Sequence, residues 1–349
     1  MSNNLLDIVK NEKKFYFQTL FVEITNQCNL NCKHCYNSSS KNSRAKLSIQ
    51  VYKKIIREFS KRNVTNIVLS GGEALLHQDF WIMLEITKNW CYNITLLTNG
   101  KLLTNEVVDR LRFFDVKIQL SLDGANENTH DYIRSKGSYR DVITALEIIS
   151  KKNYQNNASI NTVIMEANCN ELSKIVEIAK KYKIHNIGFN FLNEIGRAKG
   201  NTLACTCSLF NAIEQINKIK RSDEVKINEV GVTSNCRFCD NSDILILNPV
   251  IDVYGNIYMC EYMREPIFSI GNIKKGTLDD ILSDDKIKEL LLLLNIRRNY
   301  ITRCRTCVAK EACKGGCIVH IENDNIFLPA FCDEIKQQYL KKLGSEAIW

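Results

Sequence analysis

No apolar run in this sequence approaches the roughly 18 residues that a bilayer-spanning helix requires. The longest, Ile244 to Leu247 and Leu290 to Leu294, are far shorter. The first ten residues are polar and charged, with no apolar stretch and no small-residue cleavage site, so no secretory signal is expected. Lysine and arginine exceed aspartate and glutamate by 47 − 39 = +8, but the surplus is spread in short pairs such as Lys13-Lys14 and Arg297-Arg298. No block reads as a nucleic-acid arm. Solenoid repeats and low-complexity linkers are also missing. These absences exclude membrane and nucleic-acid partners and predict a soluble, cytoplasmic chain.

What remains is ordinary in bulk and unusual in one residue type. At 349 residues, 45% hydrophobic and 25% charged, the chain has the composition of a globular protein of about two domains. Fifteen of its residues are cysteine, and they cluster. In a reducing compartment such clusters hold metal more readily than they form disulfides.

From residue 20 to about 192, short β-branched or apolar runs alternate with longer amphipathic ones. Strands are expected at Leu20 to Ile24, Asn66 to Ser70, Asn93 to Thr98, Lys117 to Leu122, Ser159 to Ile164 and Asn186 to Phe191. Ser48, Thr104 and Asn170 are expected helix N-caps. Six β/α units in series imply a parallel α/β sheet, open or closed part-way into a (β/α)6 barrel. The expected divisions are an extension over 1–19, the partial barrel over 20–205, a connecting helix or linker over 206–235, and a small cysteine-rich domain over 236–349. Each group of chemistry-bearing residues directly follows a strand: 26–35, Gly71-Gly72-Glu73, Asn99-Gly100 and Asp123-Gly124. In a parallel sheet those loops share the carboxyl edge, where such folds build their sites.

Cys28, Cys32 and Cys35 place three thiols within eight residues. Three ligands leave a fourth position open, whereas a structural zinc site is closed by four; His34 is the available fourth zinc ligand. The CxxxCxxC spacing with Tyr36 after it, following the first strand of a β/α series, resembles the signature of radical S-adenosylmethionine (SAM) enzymes. The resemblance implies a [4Fe-4S] cluster on the three cysteines, with SAM chelating its open iron and cleaved by one electron to a radical that abstracts hydrogen from substrate. It further implies that Gly71, Gly72 and Glu73 meet the SAM amino group, that Ser121 and Asp123 contact its ribose, and that Asn99 lies on the cofactor side. Arg134 resembles the arginine that pairs with the SAM carboxylate.

Downstream, Cys304, Cys307, Cys313, Cys317 and Cys332, together with Cys260, resemble the SPASM extension of these enzymes. A zinc ribbon from Cys236-x2-Cys239 and Cys304-x2-Cys307 is the alternative, but its pairs lie too far apart and strand four further cysteines of this region, Cys260, Cys313, Cys317 and Cys332. The resemblance implies two auxiliary [4Fe-4S] clusters, one on Cys304, Cys307, Cys313 and Cys332, the other on Cys260, Cys317, Cys236 and Cys239. Glu261 would sit beside an auxiliary cluster as a candidate base. Glu194-Ile-Gly-Arg197-Ala-Lys199 resembles a run found in SPASM peptide maturases and offers a basic pair to substrate carboxylates.

The expected activity is therefore that of a peptide maturase forming a thioether or carbon–carbon cross-link. The alternatives are formylglycine formation on a protein cysteine or serine, peptide epimerisation, and a non-enzymatic metal-binding or electron-carrying protein. Expected partners are a peptide or protein substrate, a separate leader-binding protein, and a flavodoxin or ferredoxin as electron donor.

Overall fold

In a computed structural model, the described residues are 14–90, 92–192, 194–200, 209–220, 225–229, 244–261, 263–283, 285–290, 292, 305–308, 321–322 and 325–329. The chain divides into two compact units, one of residues 19–230 with 250–256, the other of residues 1–18, 231–249 and 257–349.

The first unit is a parallel sheet. Its strands are β2 (Thr19–Thr25), β3 (Asn66–Gly71), β4 (Asn93–Thr98), β5 (Val116–Ser121), β6 (Ala158–Ile164), β7 (Asn186–Phe191) and β8 (Lys226–Glu229), with β10 (Val250–Ile251) on the far side of β2. Neighbours in sequence are neighbours in the sheet from β2 through β8, and every pairing is parallel. Six strands fall within a residue of the expected ones. The segment expected as a connecting helix or linker carries α7 (Leu209–Lys220), and β8 adds one further strand to the sheet.

Helices α1 (Ile49–Ser60), α2 (Phe80–Lys88), α3 (Asn105–Phe113), α4 (Glu127–Ile133), α5 (Ser138–Lys151) and α6 (Leu172–Lys181) cross between strands. Ser48 and Thr104 accept from Val51 N and Val107 N, which satisfies one orphan donor at each helix start. Asn170 caps nothing: α6 starts after Glu171, whose carboxylate instead takes hydrogen bonds from Ala125 N, Asn126 Nδ2 and Thr129 Oγ1. On β6, Ala158, Ile160, Thr162 and Ile164 are buried while Ser159, Asn161 and Val163 are only partly so. One face of the sheet therefore packs as core and the other stays partly open and polar.

In the second unit β1 (Lys14–Phe17) pairs in parallel with β9 (Ile244–Leu247). There β12 (Ser269–Asn272) lies beside β11 (Asn256–Tyr258), α8 spans Leu278–Ser283, and β13 (Ile321–Glu322) pairs antiparallel with β14 (Asn325–Pro329). Among the described residues no helix is long and apolar enough to cross a membrane.

Candidate active site at the carboxyl edge of the sheet

Four loops meet where the sequence places them. The cysteine loop leaves β2 and is pinned by backbone hydrogen bonds, Asn26 N to Ala45 O, Cys28 N to Ser40 O and Lys33 N to Ile133 O. Cys28 and Cys32 are buried and Cys35 half-buried. Burial pushes the Cys28 thiol up to about 12, with Glu73 and the neighbouring thiols adding to it and Leu30 N opposing. Burial likewise raises Cys32, while the Arg134 and Arg197 guanidiniums pull it down. Such thiols stay protonated at neutral pH unless a cation takes the proton's place.

Gly71 and Gly72 seat this loop against the strand edge. A Cβ on Gly71, at φ +131°, would overlap the Thr25 carbonyl oxygen, and one on Gly72 would overlap that of Gln27. Gly72 N donates to Thr25 O (2.7 Å) and Glu73 N to Gln27 O (2.9 Å). The close approach that these glycines allow is therefore between two chain segments. The Glu73 carboxylate is buried, accepting from Asn99 N (3.0 Å) and Leu75 N (3.4 Å), with Thr98 Oγ1 3.0 and 3.1 Å from its two oxygens. Burial lifts its pKa to about 7 against those hydrogen bonds. Asn99 Nδ2 donates to Asn29 Oδ1 (2.8 Å), tying the β4 loop to the cysteine loop.

A second network lies beyond β5. Arg134 Nε donates to Asp123 Oδ2 at 2.6 Å, both side chains being largely or fully buried, and His34 Nε2 lies 3.4 Å from the same oxygen. Asp123 Oδ1 accepts from Val163 N. Burial alone would raise Asp123, but Arg134, His34, His130 and Val163 N hold it below the usual carboxylate range. Burial opposes the charge on Arg134, and Asp123 with the Cys32 and Cys28 thiols outweighs it. Ser121 ends β5 in register with Asn161. Tyr36 donates to Glu23 Oε1 (2.9 Å), a buried carboxylate on β2 that the sequence patterns do not single out.

His130 accepts from Asp123 N through Nδ1 (3.2 Å), and burial together with Arg134 lowers its pKa from 6.5 to about 4. The unfolded chain takes the proton near pH 6.5 and the folded one only near 4. Stability is thus intact above pH 6.5 and falls as pH drops toward 4, by roughly 3 kcal/mol from this residue. Thermal melts from pH 7 to 4 should show His130→Gln losing less stability than the parent; parallel curves would refute the assignment.

The fit of these residues to a cluster and SAM rests on two features. Four of the eight buried side-chain atoms without a hydrogen-bond partner among the described residues, on Asn26, Asn29, His34 and Ser39, lie in the cysteine loop. Each costs about 1–3 kcal/mol when unsatisfied, so the loop is built around a polar group. His34, the available fourth zinc ligand, lies with its Nε2 3.4 Å from Asp123 Oδ2.

In the second unit, burial raises the Glu261 carboxyl, opposed by Arg264, whose guanidinium stacks on Tyr258 at 4.8 Å. Cys260 and Cys307 are half-buried. Cys236, Cys239, Cys304, Cys313, Cys317 and Cys332 lie outside the described residues, as do Cys91, Cys205 and Cys207.

Residues 22–179 match the Radical SAM superfamily and residues 247–308 an iron–sulfur cluster-binding domain, SPASM. The mycofactocin maturase MftC of Mycolicibacterium smegmatis is 28% identical over 314 residues, covering 85% of this chain and 76% of its own. The native anSMEcpe structure with AdoMet and Cp18Cys peptide superposes with a TM-score of 0.74 at 18% identity, covering 95% of this chain and 98% of that one. Streptococcus suis SuiB bound to its precursor peptide SuiA also gives 0.74, at 17% identity over 95% and 78% of the two chains. A radical SAM domain binds a [4Fe-4S] cluster and SAM, and SPASM binds auxiliary clusters. The chain carries a radical SAM domain over residues 22–179 and, C-terminal to it, a SPASM domain over residues 247–308.

Proposed function

We propose that this chain is a peptide maturase, acting in the cytoplasm, that abstracts a hydrogen atom from a ribosomally made peptide and closes an oxidative thioether or carbon–carbon cross-link. The observation that carries the reading is the similarity to a maturase along 85% of the chain, through both the radical SAM and the SPASM regions. Cys28, Cys32 and Cys35 hold the cluster that binds SAM. Cys260 and Cys307, with the downstream and upstream cysteines, hold the auxiliary clusters. Bound cluster and SAM supply one-electron cleavage and hydrogen-atom abstraction from carbon.

The chain's own residues prepare that chemistry. Arg134, kept charged by Asp123, presents a cation to the SAM carboxylate. Gly71, Gly72 and Glu73 fix the edge that meets the SAM amino group, Asn99 joins that edge to the cysteine loop, and Ser121 and Tyr36 line the open side. Glu261 would receive the proton released as the bond forms, the electron given up with it passing to the auxiliary clusters that Cys260 and Cys307 would help hold. A flavodoxin or ferredoxin supplies the electron, and a separate protein presents the leader.

The test is the mass of short peptides encoded beside the gene, before and after anaerobic co-expression, with one run in deuterated water. Loss of two hydrogens, placed on or off cysteine by thiol alkylation, is expected. Unchanged mass with one deuterium gained would make the enzyme an epimerase. Formylglycine on a larger protein, with no change in any short peptide, would make it a sulfatase-maturase type.

A further inference from the structure

The basic run after β7 was expected to face substrate carboxylates, yet Arg197 turns back onto the cysteine loop. Arg197 Nε donates to Cys32 O at 2.8 Å across 165 residues of sequence, and Arg197 N donates to Cys35 O at 3.0 Å. Gly196, at φ +60°, makes this possible: a Cβ there would overlap the carbonyl oxygens of Tyr36 and Cys35. The side chain is half-buried. It is the second guanidinium at this loop, and its field, like that of Arg134, acts on the Cys32 sulfur. Lys199, two residues on, is exposed and points to no such role.

We propose that Arg197 is a positioning residue that clamps the cysteine loop at Cys32 and Cys35 and, by its charge, makes the iron–sulfur group held there easier to reduce. Reduction adds one negative charge, and a cation nearby in a partly desolvated site stabilises the charged state more than the uncharged one. One electron enters the group, no bond forms or breaks, and the flavodoxin or ferredoxin is oxidised by one electron. The clamp joins the loop after the sixth barrel strand to the loop after the first, so the lever on the potential lies outside the ligand motif. This inference rests on the placement of the cluster at Cys28, Cys32 and Cys35, but not on the identity of the peptide.

The test is a potentiometric titration followed by electron paramagnetic resonance, on iron-loaded full-length chain without peptide, read on the signal that changes when SAM is added and so is not that of an auxiliary cluster. It compares the parent with R197K, R197Q and the triple alanine variant of Cys28, Cys32 and Cys35, with iron counted in each. R197Q should shift the reduction equilibrium about tenfold toward the oxidised form, about 59 mV more negative for one electron. R197K, which keeps the charge, should stay near the parent. An unshifted R197Q, or an R197K shifted as far as R197Q, would overturn the inference. So would iron lost from R197Q and retained by R197K, which would make Arg197 a folding contact. A SAM-responsive signal that survives in the triple alanine variant, beyond the auxiliary-cluster signals expected to remain there, would remove the underlying cluster placement, a failure distinct from the other three.

Discussion

A chain carrying Cys28→Ala, Cys32→Ala and Cys35→Ala is expected to lose SAM cleavage entirely and about four irons, while the iron of the SPASM region stays bound. The expectation is this sharp because contacts other than those of the thiols also hold the loop's shape. Backbone bonds to Ser40, Ala45 and Ile133 hold it, and the glycine edge at Gly71 and Gly72 packs against Thr25 and Gln27. Alanine removes the ligands and leaves the frame. Iron analysis and high-performance liquid chromatography of SAM products on anaerobically purified protein measure both parts. Cleavage retained by the triple variant would end the assignment of the SAM-binding cluster to these residues.

The second large effect belongs to the Asp123–Arg134 pair. Arg134→Leu should leave the buried Asp123 carboxylate without its strongest partner, at a cost of about 3–5 kcal/mol. A fall in melting temperature on the order of 10 °C follows for a unit of this size. SAM affinity should fall with it, since the proposed function has Arg134 offer its cation to the SAM carboxylate. Adding Asp123→Asn separates the two roles. With no stranded charge the double variant should recover much of the melting temperature but none of the SAM affinity, as read by calorimetry. Recovery of both would mean that Arg134 serves only to neutralise Asp123.

The legible part of the fold is the part whose signal is local. A continuous apolar run marks β3 and alternation of apolar residues marks β4 through β7, and Ser48 and Thr104 announce their helices three residues ahead of the donors they cap. Asn170 carries the same chemistry and fails because Asn168, two residues earlier, accepts from Met165 N, and Glu171 braces Ala125 and Thr129. Tertiary partners decide there. The four-residue strand Lys14–Phe17 is too short to register as periodicity, and its partner lies 244 − 14 = 230 positions away.

The same division runs through the site. Which loops come together was visible, because cysteine spacing and post-strand loops are patterns along the chain. How they are employed was not. Gly71 and Gly72 read as a cofactor cradle, and they press chain on chain. Arg197 reads as a surface charge for substrate, and it holds Cys32. Asn29 and Glu23 carry no motif; only the contacts to Asn99 and Tyr36 mark them.

The pairing of β1 with β9 also sets a timetable for synthesis. The strand at Lys14–Phe17 leaves the ribosome long before Ile244–Leu247 exists. At about 5–20 residues per second the wait is on the order of tens of seconds. Throughout it, the strand Lys-Phe-Tyr-Phe has an open hydrogen-bonding edge, and the sheet of residues 19–230 has time to complete first. The first strand made is among the last to find its partner, so slowing or pausing translation before residue 244 should lengthen exposure of an aggregation-prone edge without touching any residue of the active site.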